Sequence, residues 1–167
     1  MTKTAIQPKK EVSDSLLDLL IMAYVFGVED VANSLDKKAT VDEKKMNESV
    51  YKKIDGKTWV ERLNEAETSD EIDRIIETES HRCFCEGQFD NSAGATHKTW
   101  WTQQDDRVRE SHWYLDGLTV KVDEYFYTLG GDRALHPMGF GIPTEDINCR
   151  CYLEYSKREE KGAENEN

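Results

Sequence analysis

The chain is short of positive charge. Its 167 residues include 22 lysines and arginines against 34 aspartates and glutamates, a formal net charge of −12 at pH 7. A field of that sign repels phosphate backbones and anionic lipid, which excludes broad electrostatic attachment to DNA or a membrane surface and leaves only local basic patches open. Long hydrophobic runs are also missing. The longest, Leu16–Val28, is interrupted by Asp18 and falls short of the about 20 apolar residues that cross a bilayer. Glu11 and Asp14 precede it and no small-x-small cleavage site follows, so it does not read as a secretory signal. An amphipathic or buried helix is the reading that remains. The sequence shows no internal repeat and no recognisable nucleophile with a partner base.

Cysteines number four, arranged as two Cys-x-Cys pairs, Cys83/Cys85 and Cys149/Cys151. Two cysteines one residue apart are poorly placed to bond each other. Nothing marks the chain for export, so reduced thiols in a bacterial cytoplasm are expected, with bridges between the two pairs left open. Apolar residues make up 37% and charged residues 34% of the chain. That suffices for one domain, or a compact domain with a helical arm, around a small core.

Apolar spacing divides the chain into a helical first half and a strand-bearing second half. Residues 1–12 carry lysines, a proline and no periodicity, and are expected to be a flexible leader. A helical region is expected over 13–90. Ser13 or Asp14 can cap a helix from about Ser15 to Ser34. Leu16, Leu20, Ala23 and Gly27 share one of its faces, and Leu17, Ile21, Tyr24 and Val28 the next. So wide an apolar surface requires later helices or another chain against it. Asp36–Asn47 is charged and reads as a linker or solvated helix. A second helix fits Thr58–Ala66 through Trp59 and Leu63. Thr68 or Ser69 caps a third, which carries Ile72, Ile75, Ile76 and Glu79 and runs to about Cys85.

After a polar loop at Gln88–Ala95 the period changes. Lys98–Thr102 and Leu118–Val122 read as strands, Arg107–His112 as a short helix or turn, Asp116-Gly117 as a turn and Ile147–Tyr155 as a closing strand. The predicted class is α+β: N-terminal helices followed by a small, loop-rich domain, residues 91–155, with a short antiparallel sheet. Residues 156–167 are charged and expected to form a disordered tail.

Rare residue types crowd the stretch from Lys98 to Tyr155. It opens KTWWTQQDDRVRESHWYLDG (Lys98–Gly117), continues VDEYF (Val122–Phe126) and closes HPMGFG…EDINCRCYLEY (His136–Tyr155). Core-building alone does not require such a series. Within it, Arg109 and His112 lie three apart, on one face if the segment is helical. A guanidinium fork matches a carboxylate, so Arg109 can tie to Asp105, Asp116 or Glu79. With Arg107, Asn148 and Arg150 these residues are expected to form a buried polar network that fixes the loops.

A second constellation joins His112 to Cys149 and Cys151. Imidazole and thiolate are zinc ligands, although Cys-x-Cys is tighter than the usual knuckle and a structural site takes four. Asp105, Asp116 or His136 would complete it. The network reading needs no cofactor, and zinc is the one ion the second constellation would take. In His81-x-Cys83-x-Cys85, residues 81 and 85 share a helical face while 83 does not. The aromatics Trp100, Trp101, Trp113, Tyr114, Tyr125, Phe126 and Tyr127 lack a basic surround for base stacking, which points to core packing and a protein interface.

In sequence order, Trp100, Asp105, Arg107, Arg109, His112, Asp116, Gly117, Phe126, Gly141, Asn148, Cys149, Arg150 and Cys151 carry a family likeness. The segment resembles the C-terminal domain of the phage Mu F-like minor head proteins, the head-morphogenesis family of tailed phages. Fainter matches extend it backward through AYVFGVEDVA (Ala23–Ala32), IDGKTWVERL (Ile54–Leu63) and IETESHRCFCEG (Ile76–Gly87). Thr78-Glu79 sits where the family often has a Thr-Glu pair.

The resemblance implies a minor capsid component that assists head assembly near the portal, with the portal protein and other head or scaffold proteins as partners. It implies a place in the virion and, during assembly, in the host cytoplasm. Contact with DNA is not indicated by the charge, and no membrane partner is expected. Family members are often longer at the N-terminus, and some join this domain to toxin or ADP-ribosyltransferase modules, none of which is recognisable in these residues. The alternative is a small metal-dependent hydrolase or nuclease using His112 with Asp105, Asp116 and the NCRC cysteines. Without a nucleophile, the non-enzymatic role is the expectation.

Overall fold

Two long helices run side by side and set the frame for everything else in this computed structural model, which describes residues 9–159. Residues 1–8 of the expected leader and 160–167 of the expected tail lie outside the described residues. Contrary to expectation, residues 9–12 already belong to the first helix, while Ser156 ends the last strand and Lys157 and Arg158 are held by hydrogen bonds to Leu35 O and Thr96 Oγ1. Helix α1 spans Lys9–Ser34 and α4 spans Ser69–Asp90, with α2 (Glu43–Val50) and α3 (Trp59–Glu65) between them. Helix α1 starts six residues before the expected Ser15, and α4 continues five beyond the expected Cys85.

The helix starts follow from their caps. Asp42 accepts from the backbone N–H groups of Lys44 and Lys45, which makes the end of the charged segment, expected as a linker or solvated helix, the start of α2. Thr58 and Glu61 form a reciprocal capping box at α3, and the Thr68 side chain accepts from Glu71 N at α4.

The second half holds β1 (His97–Trp101), a 3₁₀ turn (Glu110–Leu115), β2 (Thr119–Lys121), β3 (Phe126–Tyr127), β4 (Arg133–Ala134), the short helix α5 (Pro143–Asp146) and β5 (Tyr152–Ser156). An antiparallel sheet has the order β2-β1-β5, with Thr99 opposite both Thr119 and Glu154. Strands β3 and β4 form a separate hairpin around Gly131, whose φ of 90° only glycine adopts readily. The fold is therefore α+β, with N-terminal helices and a small loop-rich antiparallel unit. The helical turn falls three residues later than the expected Arg107–His112. Strand β5 starts at Tyr152 rather than Ile147, because Asn148 takes a left-handed turn (φ 60°) that ends α5 and redirects the chain.

One core cluster gathers Leu16, Leu20, Tyr24 and Val28 of α1 with Val50, Trp59, Leu63 and Cys83. The other joins Val31 of α1, Leu35 just past its end and Cys85 of α4 to Trp100, Leu115, Phe126, Met138, Leu153 and Tyr155. Packing thus runs across residue 90, where secondary structure changes type. Among the described residues no helix is long and apolar enough to cross a membrane.

Candidate functional site

His112 lies on the 3₁₀ turn, 1% exposed. Its ring stacks on Phe140 with centroids 5.5 Å apart and meets Trp100 edge-on at 5.6 Å. Its Nε2 lies 2.8 Å from Glu145 Oε2, and Ser111 Oγ donates to the same oxygen at 2.9 Å. Glu145 is delivered by α5, which Pro143 opens with a φ already suited to a first helical turn. A proton held on Nε2 by the carboxylate leaves Nδ1 as an acceptor.

Nδ1 faces the two sulfurs of the NCRC motif, 3.8 Å from Cys149 Sγ and 3.6 Å from Cys151 Sγ. The three donor atoms lie within 4.8 Å of one another, on three buried residues. Local backbone explains the convergence. Cys149 N donates to Asp146 O at 3.1 Å, Asn148 makes its left-handed turn, and the chain then extends toward β5. In extended backbone residues two apart face the same side, so both sulfurs reach the imidazole. The hydrogen bond between the two thiols, with burial, pushes Cys149 well up, and the same bond holds Cys151 down. Asp146 anchors the preceding loop by accepting from Phe140 N at 3.1 Å and Gly141 N at 2.7 Å, and burial raises its carboxyl.

The polar residues expected in one buried network are distributed differently. Arg150 grips Asp105 through Nη1 at 2.8 Å and Nη2 at 2.6 Å in a surface fork, which holds Asp105 below the usual carboxylate range. Arg107 gives its backbone N–H to the same carboxylate. Asp116 accepts from Thr102 N at 2.8 Å and Oγ1 at 3.0 Å and from Gln104 Nε2 at 3.1 Å. Among the described residues Arg109 binds no carboxylate, contrary to expectation; it donates to the carbonyls of Thr144 and Ile147 and so fastens α5 beside His112. Asn148 contributes its backbone turn.

Glu79 is separate because it lies on the side of α4 that meets α2 and α3. There it accepts from Arg62 Nη1 at 2.6 Å and from Arg82 Nη2 at 2.6 Å and Nε at 2.9 Å. Arg82 also donates to Glu86 Oε2 at 2.8 Å and Ser49 O at 2.7 Å. Arg82, Glu86, Glu145 and Asp146 were not signalled by sequence spacing. The one available cue was the Glu-Asp pair three and four residues before Cys149, behind a proline that can open a helix.

Neither Asp105, Asp116 nor His136 joins His112. The His136 ring lies against Phe89 at 5.0 Å, with Nδ1 2.7 Å from Pro137 O. All four cysteines are free. Cys83 and Cys85 face different cores, and burial pushes the Cys83 thiol up to about 12. His81 Nε2 sits 2.6 Å from Cys151 O and 3.6 Å from Cys85 Sγ. Among the described residues, His112, Cys149 and Cys151 are the set of three or more such donors that one ion could bridge. The aromatics divide: Trp100 and Phe126 are core, whereas Trp113, Tyr114, Tyr125 and Tyr127 are exposed. So are Leu19, Met22 and Phe26, which line one face of α1.

Comparison with known proteins places this geometry in context. The family model described as Phage Mu protein F like protein matches residues 37–154, from before α2 into β5. The minor head protein GP7 of Bacillus phage SPP1 is 32% identical over 83 residues, covering 47% of this chain and 27% of that protein. An Enterococcus faecalis protein named NAD(+)–arginine ADP-ribosyltransferase EFV is 46% identical over 54 residues, covering 32% of this chain and 11% of that protein. The chain thus spans only a minor part of either relative. No solved structure matches.

Proposed function

The chain belongs to the Phage Mu protein F like family, and from that membership we propose that it is a minor head protein of a tailed phage or prophage, assisting head assembly near the portal. The observation that carries this reading is the match over residues 37–154, supported by the partial likeness to a phage minor head protein. Its partners are the portal protein and other head or scaffold proteins; its places are the virion and, during assembly, the host cytoplasm. The role is non-enzymatic. The ADP-ribosyltransferase likeness covers 11% of that protein and brings no activity to this chain.

A head component must present surface to neighbours while keeping its own shape. Leu19, Met22 and Phe26, at positions i, i+3 and i+7 of α1, give a docking stripe; Phe26 is 54% exposed. The exposed Trp113, Tyr114, Tyr125 and Tyr127 give a second surface of the amphipathic type enriched at interfaces. Between them, the Glu79–Arg82–Glu86 cluster and the shared core keep helices and sheet in fixed relation.

Cross-linking mass spectrometry on heads purified from the phage that encodes the chain tests the portal placement. Lysine cross-links from the α2 residues Lys44 and Lys45 to the portal protein are expected. Cross-links confined to the major shell protein would overturn it.

A further inference from the structure

Buried cysteines are ordinarily small apolar side chains, and a buried histidine ordinarily satisfies its polar atoms with hydrogen bonds. In the His112 cluster the ring is hydrogen-bonded at both nitrogens, but Nδ1 takes as partners the sulfurs of two cysteines, Cys149 and Cys151. Two sulfurs and an imidazole nitrogen converge on one point, and the far side of the ring is already engaged by Glu145. Zinc takes thiolate sulfur at about 2.3 Å and imidazole nitrogen at about 2.0–2.1 Å, so tetrahedral geometry sets the sulfur-to-nitrogen edge at about 3.6 Å. The observed edges are 3.6 Å and 3.8 Å.

We propose that His112 Nδ1, Cys149 Sγ and Cys151 Sγ bind one zinc ion that ties the 3₁₀ turn to the chain entering β5. Soft donors of this kind select zinc over magnesium or calcium. Binding forms two zinc–sulfur bonds and one zinc–nitrogen bond and releases the two thiol protons to solvent. The two thiolates cancel the charge of the ion, so the buried site is neutral, and Glu145 fixes the imidazole as the outer partner of a metal-bound histidine does. Beside the sulfurs, a cavity of about 10 Å³ is bordered by Gln103, Arg107, Asn148 and Arg150. That is close to the space one water molecule requires, and a water there supplies the fourth ligand.

The test uses the full chain purified without chelator. Native mass spectrometry with metal quantification is expected to find one zinc per chain. Cobalt added to the reduced, metal-free protein is expected to give thiolate-to-cobalt charge-transfer absorption and the visible bands of a tetrahedral ion, both reversed by zinc. Cys151→Ser should reduce zinc from one per chain to near zero, while Cys83→Ser should leave it at one. Should Cys151→Ser fail to fold, the cobalt spectrum of the unaltered chain still decides. Metal-free protein with a cobalt spectrum lacking charge transfer would overturn the proposal, as would zinc retained in a folded Cys149→Ser/Cys151→Ser double variant.

Discussion

Gly27 of α1 and Gly87 of α4 face each other across backbone rather than side chains. A methyl group on Gly27 would overlap the Phe84 carbonyl, and one on Gly87 would overlap the Tyr24 carbonyl. The two helices therefore touch main chain to main chain, and their flanks carry both core clusters. Alanine for glycine inside a helix normally stabilises by about 1 kcal/mol. Here the sign reverses: Gly27→Ala and Gly87→Ala should each cost at least about 2 kcal/mol, as overpacking does. Urea denaturation checks this, and a neutral or stabilising result would show that the helices can separate freely.

Arg82 is the shared partner of two buried carboxylates. Arg82→Met leaves Glu79 with Arg62, and Glu86 with Lys52 and the Ser49 hydroxyl. Breaking one side of such a buried cluster costs about 3–5 kcal/mol. Glu79→Gln should cost less, since Arg82 keeps Glu86. Thermal melts of the two variants side by side give the ranking.

Lys98 contributes a pH dependence of its own. Its side chain is fully buried beneath the sheet, donating to Leu135 O at 2.7 Å with Nζ 5.3 Å from the Phe126 ring. Burial lowers its pKa to about 8. Between about 8 and the ordinary value of 10.5, the unfolded chain binds this proton and the folded chain does not, so stability from this group rises with pH across that window. In Lys98→Met the rise is absent. The stability difference between the two proteins should therefore shift in favour of the natural chain by roughly 3 kcal/mol at most between pH 7 and pH 10. Comparing the two cancels the titration of the buried thiols and tyrosines. A constant difference would show that Lys98 keeps its charge in the fold.

Glu145→Gln tests the outer partner of the His112 cluster. It keeps the shape but removes the charge that fixes the ring proton, and zinc affinity should fall about 10- to 100-fold. Competition with a coloured chelator measures this. Unchanged affinity would mean that Glu145 serves only to pack α5.

Much of the frame was legible because local rules decide it. Thr68 with Glu71 and the Asp116-Gly117 turn each announce a boundary through residues acting within a short stretch of chain, whereas the Thr58–Glu61 capping box emerged only from the structure. The helical period of α1 likewise gave its buried face. What sequence did not reveal depends on contacts between distant segments. Arg109 was expected to seek a carboxylate, yet the nearest acceptors are carbonyls at the end of α5, a helix too short to leave a periodic signal. Glu79 pairs with Arg62 and Arg82 rather than with the loops, because the side of α4 it occupies is set only when α2 and α3 fold back. The convergence of His112 with Cys149 and Cys151 was anticipated as a set of ligand types; its geometry required the left-handed Asn148, which no spacing rule marks.

The most direct test of the account is quantitative mass spectrometry of heads purified from the phage or induced prophage that encodes the chain, comparing the natural sequence with Phe26→Glu. The natural chain is expected in heads at low, constant copy number, and Phe26→Glu is expected to be depleted from heads at least several-fold while its melting temperature is unchanged. Absence of the natural chain from heads at every stage of assembly would contradict the proposed role outright.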